Sequence, residues 1–94
     1  MKLETYPFDA ADVLDTPEEQ ADFLAEAFAS GDAAAVTAAL GIIARARGIA
    51  RVAGETGLSR EALYKATGSA GNPTLATLLS IMRATGLKLS ASIR

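Results

Sequence analysis

Three features of the 94-residue chain predict an all-α domain of five to six helices. Half of the residues are hydrophobic but only 5% are aromatic, and alanine is abundant, a composition suited to helices whose backbones approach closely. Apolar residues recur at three- and four-residue spacings in stretches bounded by capping residues. The stretch Ile49 to Thr67, IARVAGETGLSREALYKAT, fits two short helices crossing at a glycine corner. The length suits one domain with one modest core. It divides into acidic N-terminal helices over 1–31, a helical core over 32–86 with its motif at 49–67, and a tail or strand over 87–94.

In chain order, Asp9 is expected to cap a short first helix, with Phe8 stapling against Val13. Thr16-Pro17-Glu18-Glu19 has the spacing of a capping box with proline at the first helical position. The helix it opens should run from Pro17 to about Ser30 and stop at Gly31. Its apolar seam is Ala21, Leu24 and Phe28, with Phe23 and Ala27 beside it. Asp32 caps a further helix reaching Arg47, where Gly48 takes a left-handed terminal position. Val36, Ala39, Leu40, Ile43 and Ala46 give that helix one apolar face. Gly41 within it costs about 1 kcal/mol relative to alanine unless another backbone packs against it.

In the central stretch, Ala53 must be small where two helices cross, and Gly57 supplies the positive φ of a sharp turn. Leu58 drops into the core, Ser59 caps the second helix and Glu61 suits the positive end of its dipole, so this helix starts at about Arg60. At 100° per residue, Ala62, Leu63 and Ala66 share one side with Ser59, while Arg60, Glu61, Tyr64 and Lys65 share the other. That outward side offers a guanidinium, a carboxylate, a phenol and an ammonium, groups that read base edges or hold phosphates. Any amphipathic helix has a polar face, but the corner that precedes this one favours a DNA-binding helix-turn-helix.

Asn72-Pro73 is expected to open the last helix, with Leu75, Leu78, Leu79 and Met82 as its apolar stripe and Gly86 as its end. The preceding Gly68-Ser69-Ala70-Gly71 exposes amides beside a helix N-terminus, where they can clamp phosphate or simply make the turn. Leu87, Leu89, Ala91 and Ile93 alternate with polar residues, the period of a short strand. Such a strand can pair with Met1 to Thr5 or with its twin in a dimer.

The net charge of −2 averages two unlike halves. Residues 1–40 carry nine acids against Lys2, giving −8, and residues 41–94 carry eight bases against Glu55 and Glu61, giving +6. A basic half can meet phosphates; an acidic half repels them. Caps account for Asp9, Glu18 and Glu19 but not for Asp12, Asp15, Asp22 and Glu26. Arg45 and Arg47 suit the negative end of their helix as well as they suit phosphate. With no histidine and no cysteine, the commonest general base, the thiolate nucleophile and the usual metal ligands are missing. No enzyme activity, metal or cofactor is expected. No apolar run approaches membrane-spanning length and no signal peptide is legible, so a cytoplasmic location without membrane contact is the expectation.

The segments DAADVL at 9–14, ALGIIARARG at 39–48, GLSREALYK at 57–65 and GNPT at 71–74 together resemble the HigA-like addiction-module antidote proteins, in the lambda-repressor-like helix-turn-helix group. The likeness runs in order along nearly the whole chain. It implies a small homodimeric antitoxin that binds a RelE/ParE-type toxin and represses its own operon by binding operator DNA. Carried over residue by residue, it assigns DNA contacts to Ser59, Arg60, Tyr64 and Lys65, and to the loop around Asn72. One departure stands out: Ile49-Ala50 lies where relatives carry a Ser or Thr cap or a glutamine, and Arg51 is the candidate replacement. Because RNA-binding toxins are basic, Asp12, Asp15, Asp22 and Glu26 are candidates for the toxin contact, against the alternative of a solvated helix face. A free-standing helix-turn-helix regulator without a toxin and a helical protein-interaction module remain as other readings.

Overall fold

A computed structural model describes residues 14–93 as five helices: α1 (Pro17–Ser30), α2 (Ala33–Arg47), α3 (Ile49–Thr56), α4 (Arg60–Thr67) and α5 (Leu75–Ala84). The all-α fold expected from the sequence is the fold observed. The short helix expected at Asp9, with its Phe8–Val13 staple, lies outside the described residues.

Local chemistry sets most of the boundaries. In the capping box of α1, Thr16 Oγ1 accepts from the Glu19 amide at 3.1 Å, while Glu19 Oε1 accepts from the amides of Thr16 at 3.1 Å and Asp15 at 3.0 Å. Gly31 ends the helix in the left-handed conformation at φ 72°. Asp32 Oδ1 then caps α2 by accepting from the Ala34 amide at 3.0 Å. Gln20, a polar residue facing inward, is 2% exposed and donates from Nε2 to the Leu14 carbonyl at 3.0 Å, which ties the chain before α1 to the helix.

Helix α2 is the axle of the domain, packing against α1, α3, α4 and α5. Leu40, Ile43 and Ala44 on it are fully buried, and they meet Leu24 of α1, Val52 of α3, Leu63 of α4 and Ile81 of α5 in one apolar cluster. Burying side chains of this size stabilises by roughly 1.5–3 kcal/mol each. Helices α2 and α3 meet at 107° across Gly48, whose φ of 104° is open only to glycine at ordinary energy. Among the described residues no single helix is long and apolar enough to cross a membrane.

Three expectations at the C-terminal end are corrected. Helix α5 starts at Leu75 rather than Pro73, because the Thr74 hydroxyl accepts from the Thr77 amide at 3.1 Å and so takes the cap position expected of Asn72. Its inward row is Leu78, Ile81, Met82 and Thr85, leaving Leu75 65% and Leu79 36% exposed. Thr85 is buried at no hydrogen-bonding cost, since its hydroxyl donates to the Met82 carbonyl at 2.7 Å. Residues 87–93 form no strand: Leu87 packs against the core, but Leu89 and Ile93 face outward and no described segment offers a pairing edge. The alternative partner, Met1 to Thr5, lies outside the described residues. On α1 the seam is narrower than expected, since Ala21 is exposed.

Candidate nucleic-acid interface

The corner between α3 and α4 is built by short-range hydrogen bonds that the residue types dictate. Ala53, buried where the helices cross, gives its carbonyl to the Gly57 amide at 3.0 Å, and Gly57 turns the chain at φ 79°. Thr56, which sequence reasoning passed over, locks this turn from inside. Its hydroxyl donates to the Val52 carbonyl at 2.9 Å and accepts from the Leu58 amide at 3.2 Å. Leu58 packs against the core as expected, and the Ser59 hydroxyl caps α4 by accepting from the Ala62 amide at 3.0 Å.

Helix α4 presents the two faces its sequence predicts. Leu63 is fully buried, with Ala62 and Ala66 half-buried beside it, whereas Arg60, Glu61, Tyr64 and Lys65 are exposed. Tyr64 keeps 53% of its surface in solvent, although its ring is the largest apolar group on the helix. The face itself carries no aliphatic residue.

The glycine-rich connection folds back onto the end of α4. A Cβ on Gly71 would overlap the carbonyl group of Ala66 and stand 2.8 Å from the Lys65 oxygen, so only glycine fits there. The Gly71 amide donates to the Gly68 carbonyl at 2.9 Å, closing the turn. Asn72, next in the chain, and Lys65 both line an open groove of about 410 Å³ with Leu58, Ala70 and Pro73. Of the candidate residues, Lys65 and Asn72 share this groove, while Ser59, Arg60 and Tyr64 are exposed on and just before α4 without lining it.

Arg51 differs from the other candidates. It is exposed on α3, but its Nε donates to Glu55 Oε2 at 3.2 Å in an i, i+4 pair with both side chains largely in solvent. Such a pair is worth about 0–1 kcal/mol, so phosphate can displace Glu55 at small cost. Helix α3 begins at Ile49, and Gly48 before it supplies no side-chain cap, in keeping with the apolar Ile49-Ala50 noted above.

The acidic candidates lie apart from this face. Asp15, Asp22 and Glu26 are exposed, on and just before α1, while Asp12 lies outside the described residues.

The chain matches, over residues 4–93, the family described as "Probable addiction module antidote protein". It belongs to that family. The chain is also 42% identical over 81 residues to an uncharacterized protein of Haemophilus influenzae, an alignment covering 86% of this chain and 84% of the relative. No solved structure matches the chain significantly.

Proposed function

We propose that this antidote is a HigA-like antitoxin of the lambda-repressor-like helix-turn-helix group, neutralising a RelE/ParE-type toxin in the cytoplasm and repressing its own operon. The observation that carries the DNA-binding half is the exposed face of α4: Arg60, Tyr64 and Lys65 project from a helix whose opposite side is locked into the core by Leu63. Arg60 is suited to bidentate contact with a guanine edge, and Lys65 with Asn72 to the phosphate backbone. The Ser59 hydroxyl accepts from the Ala62 amide yet keeps its own proton for a phosphate oxygen.

The protein acts on operator DNA as a homodimer that places two α4 helices in successive major grooves, about 34–36 Å apart. Leu75 and Leu79, exposed one turn apart on α5, supply apolar surface for the second copy. Family membership supports the toxin-neutralising half.

A two-part cellular test addresses both halves. The DNA upstream of the gene drives a reporter, and the adjacent gene is induced separately to arrest growth. Supplying the antidote should silence the reporter and restore growth. Full reporter activity in its presence would remove the autorepressor role, and unrelieved arrest would remove the antitoxin role.

A further inference from the structure

Helix α1 carries two neighbouring rows that, apart from Glu18 in its first turn, its own stability does not call for. Glu18, Asp22 and Glu26 follow one another at four-residue spacing, and Ala21, Ala25 and Ala29 form the adjacent row; all six are exposed. The acids repel one another along the row. Glu26 lies toward the negative end of the helix dipole, where a carboxylate is disfavoured, and the last turn holds no base. Residues 14–32 contain six acids and not one lysine or arginine. Glu19 is occupied in the capping box, but none of the three acids in the row has an ion-pair partner among the described residues.

The alanine row is one wall of an open groove of about 420 Å³. Phe28 and Met82 also line it, together with Leu87, Lys88 and Leu89 and two serines of the C-terminal segment. The groove offers Ala25, Phe28, Met82 and Leu89, has a carboxylate row along its α1 rim and carries Lys88 on the C-terminal segment. It is complementary to a helix with a narrow apolar stripe bordered by lysines or arginines on the α1 side only.

Resting on the antitoxin reading above, we infer that this groove and its acidic rim are the seat of a cationic amphipathic helix of the toxin. The apolar stripe lies against Ala25, Phe28 and Leu89, and the basic border neutralises Glu18, Asp22 and Glu26. The like-charge row is then a stability sacrifice that binding relieves. This separates the surface from α4, so one antidote molecule can hold toxin and DNA on different elements.

The test uses the full-length antidote co-purified and titrated with the product of the adjacent gene. Two variants are compared with the unaltered chain: Glu18→Gln/Asp22→Asn/Glu26→Gln, which removes the rim, and Ala25→Arg, which fills the trough with a cation. Thermal unfolding of the free proteins and sedimentation of the antidote alone accompany the titrations. The expected result is an affinity loss of about tenfold or more for each variant, with a weaker salt dependence for the rim variant. The free rim variant should unfold at the same temperature as the parent or higher. If the adjacent product binds the parent and both variants equally, the seat lies elsewhere and the antitoxin reading stands. If it does not bind the parent, the antitoxin reading falls and this inference with it. If either variant instead converts a self-associated antidote to a smaller species, the groove holds a second copy and the inference is overturned.

Discussion

Gly71 lies against the carbonyl of Ala66 so closely that no side chain fits between the connecting loop and the end of α4. The obstacle is backbone, which cannot rotate away as a flexible side chain would. Gly71→Ala should therefore push the loop outward, at a cost of roughly 1–3 kcal/mol in urea unfolding. It should also separate Asn72 from Lys65 and weaken DNA binding. Unchanged stability and affinity would show that the loop relaxes freely and does not position Asn72.

A second close approach braces α4 from behind. A Cβ on Gly41 of α2 would stand 3.2 Å from both Cβ and Oγ1 of Thr67, whose hydroxyl is fixed by donating to the Leu63 carbonyl at 2.9 Å. Gly54, within α3, has nothing within 4 Å of such a Cβ. The two glycines should respond oppositely. Gly54→Ala should stabilise by about 0.5–1 kcal/mol through helix propensity, while Gly41→Val should destabilise by about 1–3 kcal/mol through overpacking. Thermal or urea unfolding of the pair reads the difference directly.

The Ser59 hydroxyl has one role in the fold and one proposed in binding, and substitution separates them. Ser59→Ala removes the cap on α4 and should cost about 1 kcal/mol of stability. Ser59→Asp keeps a capping oxygen and adds charge favourable to the helix dipole, so stability should hold while DNA affinity falls through repulsion of phosphate. Equal DNA affinity for Ser59→Asp and the parent would place position 59 away from the backbone.

Arg60 and Lys65 are predicted to divide the work on DNA. Lys65→Ala should weaken binding to every sequence and reduce the slope of affinity against salt by about one unit. Arg60→Ala should relax preference at a single base pair, costing about 1–3 kcal/mol on the preferred sequence. Salt titrations on matched and single-mismatch duplexes distinguish the two, and identical behaviour would defeat the division.

Helices α1 to α4 were legible because each boundary is set by residues adjacent in sequence: Thr16 with Glu19, Asp32 with Ala34, Ser59 with Ala62, and the glycines at 31, 48 and 57. The outward face of α4 followed from helical periodicity and one glycine turn. Helix α5 was harder because it carries two overlapping apolar rows. Periodicity cannot choose between Leu75-Leu78-Leu79-Met82 and Leu78-Ile81-Met82-Thr85; packing against α2 and α3 chooses the second. Thr74 prevailed over Asn72 as the cap because its hydroxyl reaches the Thr77 amide. The alternation after Gly86 gave no strand among the described residues because strand period requires a pairing edge as well as a pattern. Gly71 against Ala66 and the groove beside α1 arise from segments meeting in space, and no local signal announces them.

Whether the polar face of α4 reads operator DNA is decided by a fluorescence-anisotropy titration. Purified protein is titrated onto duplex from just upstream of its own gene and onto a scrambled duplex, at low and at physiological salt, beside the Arg60→Ala/Lys65→Ala variant. A preference for the upstream duplex that survives physiological salt and disappears in the variant is expected. Binding that is equally weak on both duplexes, vanishes with salt and is indifferent to the two substitutions would contradict it.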